Sequence, residues 1–540
     1  MPVTPSYPGI YIEELPSNTH TITAAPTSIT VFVGYTHPFK TLIPKTTITN
    51  FNKAIQIFSF TDYEKYFGGF YASSVLDSNV AQAVNQFFLN GGSSAYVIGV
   101  QPQEYFDKNQ KPVGAVAPPA PQTTNGIQFT ALEPTDSLNT EITVTITTPP
   151  NSTNSNVADI TIIYGTNGIR VETYRQVSLD PGSPTTSNPS LTANNPTNPN
   201  FITTRINNIS TLVTVAPNPT YPSTFTNGSV ILSTTLPADA VSIFRESDFA
   251  LIFQQDSDLD KVPIFNLLLL PGITDNSILS EALAFCERKQ AFLIMDPPAI
   301  DVADQGTTQP WIGDYIDGTT CPKSQNGALY FPYLVSTDPL TGNSINLPPS
   351  GFVAGIYANT DLNRGVWKAP AGQATTLLNT TGVVDTGRMN DLRQGTLNLK
   401  GVNCLRSFPG IGTVVYGART LVSANSAYQQ WKYVPVRRMA LFIEQTLLSN
   451  LGWVVFEPND EPLWAAIRLS IGNFMLSLFK QGALQGSTPS QAFQVKCDSS
   501  TTTSDDQNNG IVNIIVAFAP LKPAEFVIVK IAQLAGQVQS

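Results

Sequence analysis

Residues able to do acid–base or nucleophilic chemistry are sparse in this chain of 540 residues, and their spacing builds no familiar catalytic arrangement. Only two histidines occur, His20 and His37. A Ser-His-Asp or Cys-His site, or a metal held by several imidazoles, therefore has almost no material. The four cysteines, Cys286, Cys321, Cys404 and Cys497, stand far apart without a C-x-x-C pair, so they form neither a zinc ribbon nor a redox motif and read as reduced thiols. The carboxylate pairs Glu13-Glu14 and Asp505-Asp506 could cleave a sugar only if the fold held two carboxyls across it; they read as solvated charges. Gly482-Ala483-Leu484-Gln485-Gly486-Ser487-Thr488 lacks the lysine and full spacing of a phosphate loop. In Gly410-Ile411-Gly412, Val415 takes the place of the third glycine of a dinucleotide fingerprint, and Gly417 comes two residues late. No catalytic residue, cofactor site or metal site is expected. The remaining polar groups, Asp361 with Arg364 and Arg437, Arg438, Glu444 and Glu457, read as ion pairs within the fold or across a subunit contact. Arg438 and Glu444, six apart on one predicted helix, lie on different faces and must find partners elsewhere.

Composition narrows the partners. The formal net charge is −10 and no basic run exceeds Arg437-Arg438, which argues against nucleic acid, whose phosphates need clustered Lys and Arg. Charged residues make up only 13% of the chain, while Pro (42) and Gly (36) are abundant; such a chain is suited to hiding surface against partners. The apolar run around Ile264 to Leu270 is short of the ~20 residues of a membrane span, and no leader-like start is present. Synthesis in the bacterial cytoplasm and no direct membrane insertion are expected.

The length calls for several domains. Residues 1–28 read as an extended arm, proline-rich and with too little apolar surface to pack alone. Residues 29–102 begin an α/β core: a strand from Ile29 to Tyr35, a helix from Asn79 to Leu89 and a strand from Ala95 to Val100. From 103 to 240 the chain turns to Thr, Asn, Pro and Ser with short alternating runs at Ile142 to Ile146, Ile160 to Tyr164 and Ile169 to Tyr174. Asn167-Gly168 reads as a hairpin turn there, and Asp180 to Asn200 as a loop. This is an inserted β-rich outer domain, of sandwich type. The core resumes over 241–400 with strands Phe265 to Leu270 and Ala291 to Met295 around a helix from Asn276 to Lys289. A polar loop insertion follows at 301–349, with one strand candidate, Ala328 to Val335. A carboxy-terminal domain, 401–531, carries a helix from Val436 to Leu451, a strand from Trp453 to Phe456 and a helix started by Asp460-Glu461-Pro462. Two strands, Ile511 to Phe518 and Glu525 to Ile531, precede a tail at 532–540. The fold class is a multidomain α/β (α+β) protein with a mixed-sheet core.

Several dense motifs run in order between Pro348 and Lys496. They are Pro348-Pro349-Ser350-Gly351-Phe352-Val353-Ala354-Gly355, the stretch from Asp361 to Gly372, Gly410 to Leu421, Tyr433-Val434-Pro435-Val436-Arg437-Arg438, Val455-Phe456-Glu457-Pro458-Asn459-Asp460 and Gly482 to Gly486. With Tyr7-Pro8-Gly9-Ile10-Tyr11-Ile12-Glu13-Glu14 and Phe87-Phe88-Leu89-Asn90-Gly91-Gly92 at the other end, the chain resembles the tail sheath proteins of contractile phages and of phage-tail-like injection systems.

The resemblance implies a homo-oligomer of six-fold rings stacked helically around an inner tube protein, with baseplate and terminal cap proteins as further partners. Contraction then drives the tube through a target envelope on stored conformational energy. It also implies that arms of neighbouring subunits add strands to a carboxy-terminal domain. The matching residues are Tyr7, Gly9, Ile10, Tyr11, Ile12 and Glu13 at one end and Phe526, Ile528, Lys530 and Ile531 at the other. Arg468 and Lys480, on the polar side of the second carboxy-terminal helix, are candidates to face an acidic tube. The rival reading is a static capsid, fibre or adhesin subunit, which the β-rich insertion would suit.

Overall fold

The computed structural model describes residues 20–36, 50–70, 79–100, 104–107, 109, 111–115, 117–132, 135, 141–149, 156–165, 170–182, 196–218, 221–237, 240–242, 246–298, 312–384 and 389–530. The arm residues Tyr7 to Glu13, His37, the Asn167-Gly168 turn and Ile531 lie outside them. The chain forms two compact units. The larger is Ser28–Leu362 with Pro370–Lys432; the other joins Asn363–Ala369 to the described residues up to Thr27 and from Tyr433 onward.

The larger unit is built on an eight-stranded sheet in the order Ile55–Ile57, Ala95–Gly99, Thr30–Gly34, Leu267–Leu269, Phe292–Met295, Gly327–Phe331, Val402–Phe408 and Gly412–Val415. The six inner strands are parallel, and each edge strand is antiparallel to its neighbour. Parallel strands are covered on both faces and so lose their polar alternation. That accounts for the continuous apolar runs at Val31-Phe32-Val33, Leu267-Leu268-Leu269 and Phe292-Leu293-Ile294-Met295, all buried. The helix Asn276–Arg288 starts where Asp275 accepts hydrogen bonds from the Ser277 and Ile278 amides and packs into the same core. On the helix Ser350–Arg364, Gly351 and Gly355 lie one turn apart on one face. A Cβ at Gly351 would sit 2.5 Å from the Ala83 Cα, and one at Gly355 2.6 Å from the Asn90 Cβ. The Gly-x-x-x-Gly spacing is therefore what lets this helix lie against Val80–Leu89.

The insertion is β-rich. Strands Arg170–Ser178, Val157–Tyr164, Ile142–Thr147 and Gly228–Leu232 form one antiparallel sheet, and Val213–Val215, Ile127–Ala131 and Gln122–Thr124 another. Alternate residues such as Ile142, Val144, Ile146, Ile160, Ile162, Phe129 and Val213 enter one shared core. A helix at Ile202–Ile209 joins them, an element the Asn- and Thr-rich sequence hides. At the base, Glu104–Asp107 pairs with Ala240–Ser242.

Four sequence expectations need correction. The stretch 301–349 is more than a polar loop with one strand: its candidate starts as Gly327–Phe331, a fully buried inner strand of the central sheet, and Leu334–Thr337 and Ser344–Leu347 are strands as well. Its candidate run, Ala328 to Val335, splits at Pro332, which has no N–H to continue a ladder; Leu334–Thr337 pairs instead with Ser344–Leu347. Trp453 to Phe456 is not a strand, since Gly452–Val454 is a single 3₁₀ turn joining two helices. Glu525 to Lys530 runs without strand pairing, whereas Ile515–Phe518 pairs with Phe493–Lys496, a strand absent from the sequence reading. Val402–Phe408 and Gly412–Val415 belong to the central sheet, so the carboxy-terminal unit begins at Tyr433 rather than at Gly401.

Candidate assembly site

Two helices form the body of the carboxy-terminal unit. Val434–Asn450 starts with Pro435 in its first turn and is buried continuously from Val434 to Ile443. Glu461–Lys480 starts at Asp460, whose carboxylate accepts from the Glu461 amide, again with proline in the first turn. By length and composition this second helix is apolar enough to cross a membrane. Trp464, Ile467, Ile471, Phe474, Met475 and Leu478 are its buried face, and they meet Met439, Phe442 and Ile443 of the first helix in one core. Against this core lies the hairpin Phe493–Lys496/Ile515–Phe518, whose strands alternate between half-buried and exposed residues. Among the described residues it has two strands only, leaving its outer edges open to a further strand.

The first helix holds residues 20–27 along its length and Glu525 at its amino-terminal end. Arg438 Nη2 donates to the Thr27 carbonyl at 2.8 Å, and the Ala25 amide donates to Thr446 Oγ1 at 3.1 Å. The Thr23 amide donates to Asn450 Oδ1 at 2.9 Å, while Asn450 Nδ2 donates back to the Thr23 carbonyl at 2.8 Å. His20 stacks on Trp453 with ring centroids 3.8 Å apart. Residues 27 to 20 thus run towards the helix's carboxy-terminal end, reading polar side chains as an extended strand reads a sheet edge. At the other end Tyr433 donates its hydroxyl to Glu525 Oε2 at 3.1 Å. Beyond that contact Phe526, Val527, Ile528 and Val529 are 71 to 83% exposed, an apolar run left open among the described residues.

The polar cluster seen in the sequence is resolved in part. Arg437 pairs with Glu444 at 3.2 Å, seven residues on and two turns along the same face, and Arg438 is held by the Thr27 backbone. Glu457 is exposed elsewhere. Of the two candidate tube-facing cations, Lys480 is exposed. Arg468 is held internally: it donates to Glu461 at 2.5 Å and to the Cys497 carbonyl, so its charge is offset. Phe526, Ile528 and Lys530 lie together on the exposed tail.

Sequence reasoning missed Asp296, in the larger unit. It follows the strand Phe292–Met295 and is fully buried, accepting from the Ser350 amide at 2.7 Å, the Ser350 hydroxyl at 2.7 Å and the Gly272 amide at 3.0 Å. Burial pushes its carboxyl up to about 6, against the lowering effect of those hydrogen bonds. In open α/β sheets a ligand anion often binds at a helix amino terminus beside the strand ends. Here the protein's own carboxylate occupies the start of Ser350–Arg364. Asp296-Pro297-Pro298 after an apolar run was the available signal.

Residues 261–421 match the phage tail sheath protein central domain, and residues 426–533 the phage tail sheath C-terminal domain. The tail sheath protein of Vibrio phage KVP40 is 26% identical over 187 residues, 34% of this chain and 26% of its own length. That of Burkholderia phage BcepMu is 26% identical over 225 residues, 41% of this chain and 46% of its own. The matched stretch therefore spans less than half of either relative. Among solved structures, the helical sheath of the anti-feeding prophage in its contracted state is 22% identical, covers 98% of this chain and 100% of its own, and has a TM-score of 0.54. The contracted sheath complex of an extracellular contractile injection system is 21% identical, with 98% of each chain covered and a TM-score of 0.55. The sheath tail protein of Desulfitobacterium hafniense, 11% identical, covers 95% of this chain and 100% of its own at 0.54. These likenesses establish the fold, and the two domain matches meet close to the junction of the two compact units. Between residues 261 and 533 the chain is thus similar, domain by domain, to phage tail sheath proteins.

Proposed function

We propose that this chain is the repeating structural subunit of a contractile sheath. Copies stack as six-membered rings around an inner tube, held extended between a baseplate and a terminal cap, and contract to push the tube through a target envelope. Tail sheath proteins are structural proteins and not enzymes, so the work comes from conformational energy stored in the extended lattice rather than from ATP hydrolysis. The protein is made in the bacterial cytoplasm and built into a phage tail or tail-like particle.

The observation that carries this reading is the pair of chain ends leaving one helix at its two ends. At 1.5 Å per residue the 17 residues of Val434–Asn450 separate the departure points by roughly 25 Å. One unit therefore reaches neighbours on two sides, as a linked mesh requires. The amino-terminal arm, with Tyr7, Gly9, Ile10, Tyr11, Ile12 and Glu13, and the tail, with Phe526, Ile528, Lys530 and Ile531, add strands to the open hairpin of other copies. Strand addition uses backbone pairing, which survives large rigid-body movement of the bodies it links. A head-to-tail contact of this kind propagates into open helical polymers. The insertion, about 103–240, faces outward, and Lys480 is the cation offered to the tube, whereas Arg468 is held by Glu461.

Electron microscopy of the purified full-length protein is the test. Long hollow tubes support the sheath reading; closed shells, or monomers at high concentration, overturn it.

A further inference from the structure

The connection between the two helices of the carboxy-terminal unit displays an aromatic ring where folding alone would not place one. Phe456 is fully exposed, beside Val455 at 63% exposure, and its φ is +70°. For a bulky side chain that is a genuine outlier, since the left-handed region crowds Cβ against the backbone. Strained residues persist where their surroundings fix them, and they cluster at functional sites. The surroundings here do fix the turn. The Glu457 amide donates to the Val454 carbonyl at 3.2 Å, Trp464 Nε1 donates to Asn459 Oδ1 at 2.9 Å, and Asn459 Nδ2 donates to the Ile511 carbonyl at 3.0 Å. Gln507 Nε2 donates to the Asn459 carbonyl at 3.1 Å. These bonds bring Ile511, 46% exposed, to the same turn. Glu457, Asp460 and Asp505, all exposed, give the apolar knuckle an acidic fringe.

One exposed segment of the chain has the complementary character. Phe526, Val527, Ile528 and Val529 stand out in solvent between Lys522 and Lys530. We infer that the Phe456 turn is a preformed knob that receives the Phe526–Val529 run of a second copy, rings on aliphatic chains and lysines on the acidic fringe. The donor is a different copy by reach. The tail is tethered at Glu525 to Tyr433, at one end of a helix roughly 25 Å long, whereas Phe456 follows its other end. Three extended residues from Glu525 to Ile528 span about 10 Å. The inference rests on the sheath reading, within which it names the residue that positions the incoming tail.

Cysteine cross-linking in the full-length chain tests it, because the four native cysteines are buried. F456C/I528C tubes, mildly oxidised, should give a ladder of covalent multimers on a non-reducing gel, with neither single variant doing so. A companion variant, Phe456→Gly, removes the ring and suits the left-handed backbone. It should melt no lower than the wild type yet lower the yield of tubes at least tenfold. If wild-type protein forms no tubes, the sheath reading fails and this inference with it. If tubes form but the double variant gives no ladder, or Phe456→Gly assembles normally, the knob alone is refuted. Dimers from F456C by itself would mean that the ring meets its own counterpart, which also refutes the tail as occupant.

Discussion

Replacing Asp296 by Asn should remove a pH dependence that the wild-type larger unit carries. The carboxyl rises from 3.8 to about 6 on folding through full burial, and the causes of that rise include no charged neighbour. A rise of this size corresponds to about 3 kcal/mol between the charged and neutral forms. Because the folded value lies above the unfolded one, the contribution to stability is fully present below about pH 4 and is lost as the pH rises through about 6. Between pH 5 and pH 7.5 the loss is about 1.4 kcal/mol, or about tenfold in an opening equilibrium. The readout is amide hydrogen exchange at Gly272 and at Ser350 to Phe352 in unassembled subunits, compared between wild type and variant at each pH. Asn offers one acceptor where the carboxylate offers two, so one of its three donors is poorly served. That cost is the same at both pH values and cancels in the comparison. Relative to the variant, wild-type protection should fall about tenfold from pH 5 to pH 7.5. Parallel behaviour of the two proteins would refute the argument that a buried charge strains the start of this helix.

Three further outcomes concern assembly. Removing Met1 to Ser17 should leave a folded subunit that melts close to the unassembled full-length chain but forms no tubes, since each lost strand hydrogen bond is worth only about 0.5 to 1.5 kcal/mol but recurs at every copy; electron microscopy with a thermal melt reads both, and tubes from the truncated protein would refute it. Replacing 108–239 with a two-residue turn should preserve tubes, because Asp107 and Ala240 are register partners in adjacent strands, about 5 Å apart; loss of all polymer from a soluble, folded deletion would show the insertion to be an assembly domain. Lys480→Glu should reduce extended particles while sparing contracted tubes, counted on micrographs, and unchanged extended particles would place the tube contact elsewhere.

The sequence was legible where a segment's environment is its own subunit's core. The apolar runs at Val31, Leu267 and Phe292 are buried on both faces, and the proline and acid at Glu461-Pro462 sit at a helix start that Asp460 caps. Legibility failed where a partner is remote. Arg438 is held by a carbonyl 411 residues away, which no helical spacing encodes, although Arg437 and Glu444 are seven apart and could have been paired on sight. Ala328 to Val335 looked continuous because side-chain pattern does not register that Pro332 ends one ladder before another begins. The candidate assembly site fails for a further reason. The exposed Phe526–Val529 run and the fully exposed Phe456 break the rules by which a monomer's sequence is read, since apolar residues there gain nothing from their own fold. Under the sheath reading that violation is the signal. On that reading the apolar run at Phe526–Val529, which lies beyond the Tyr433–Glu525 contact, and the ring of Phe456 are surfaces kept for other copies rather than for the core of their own unit.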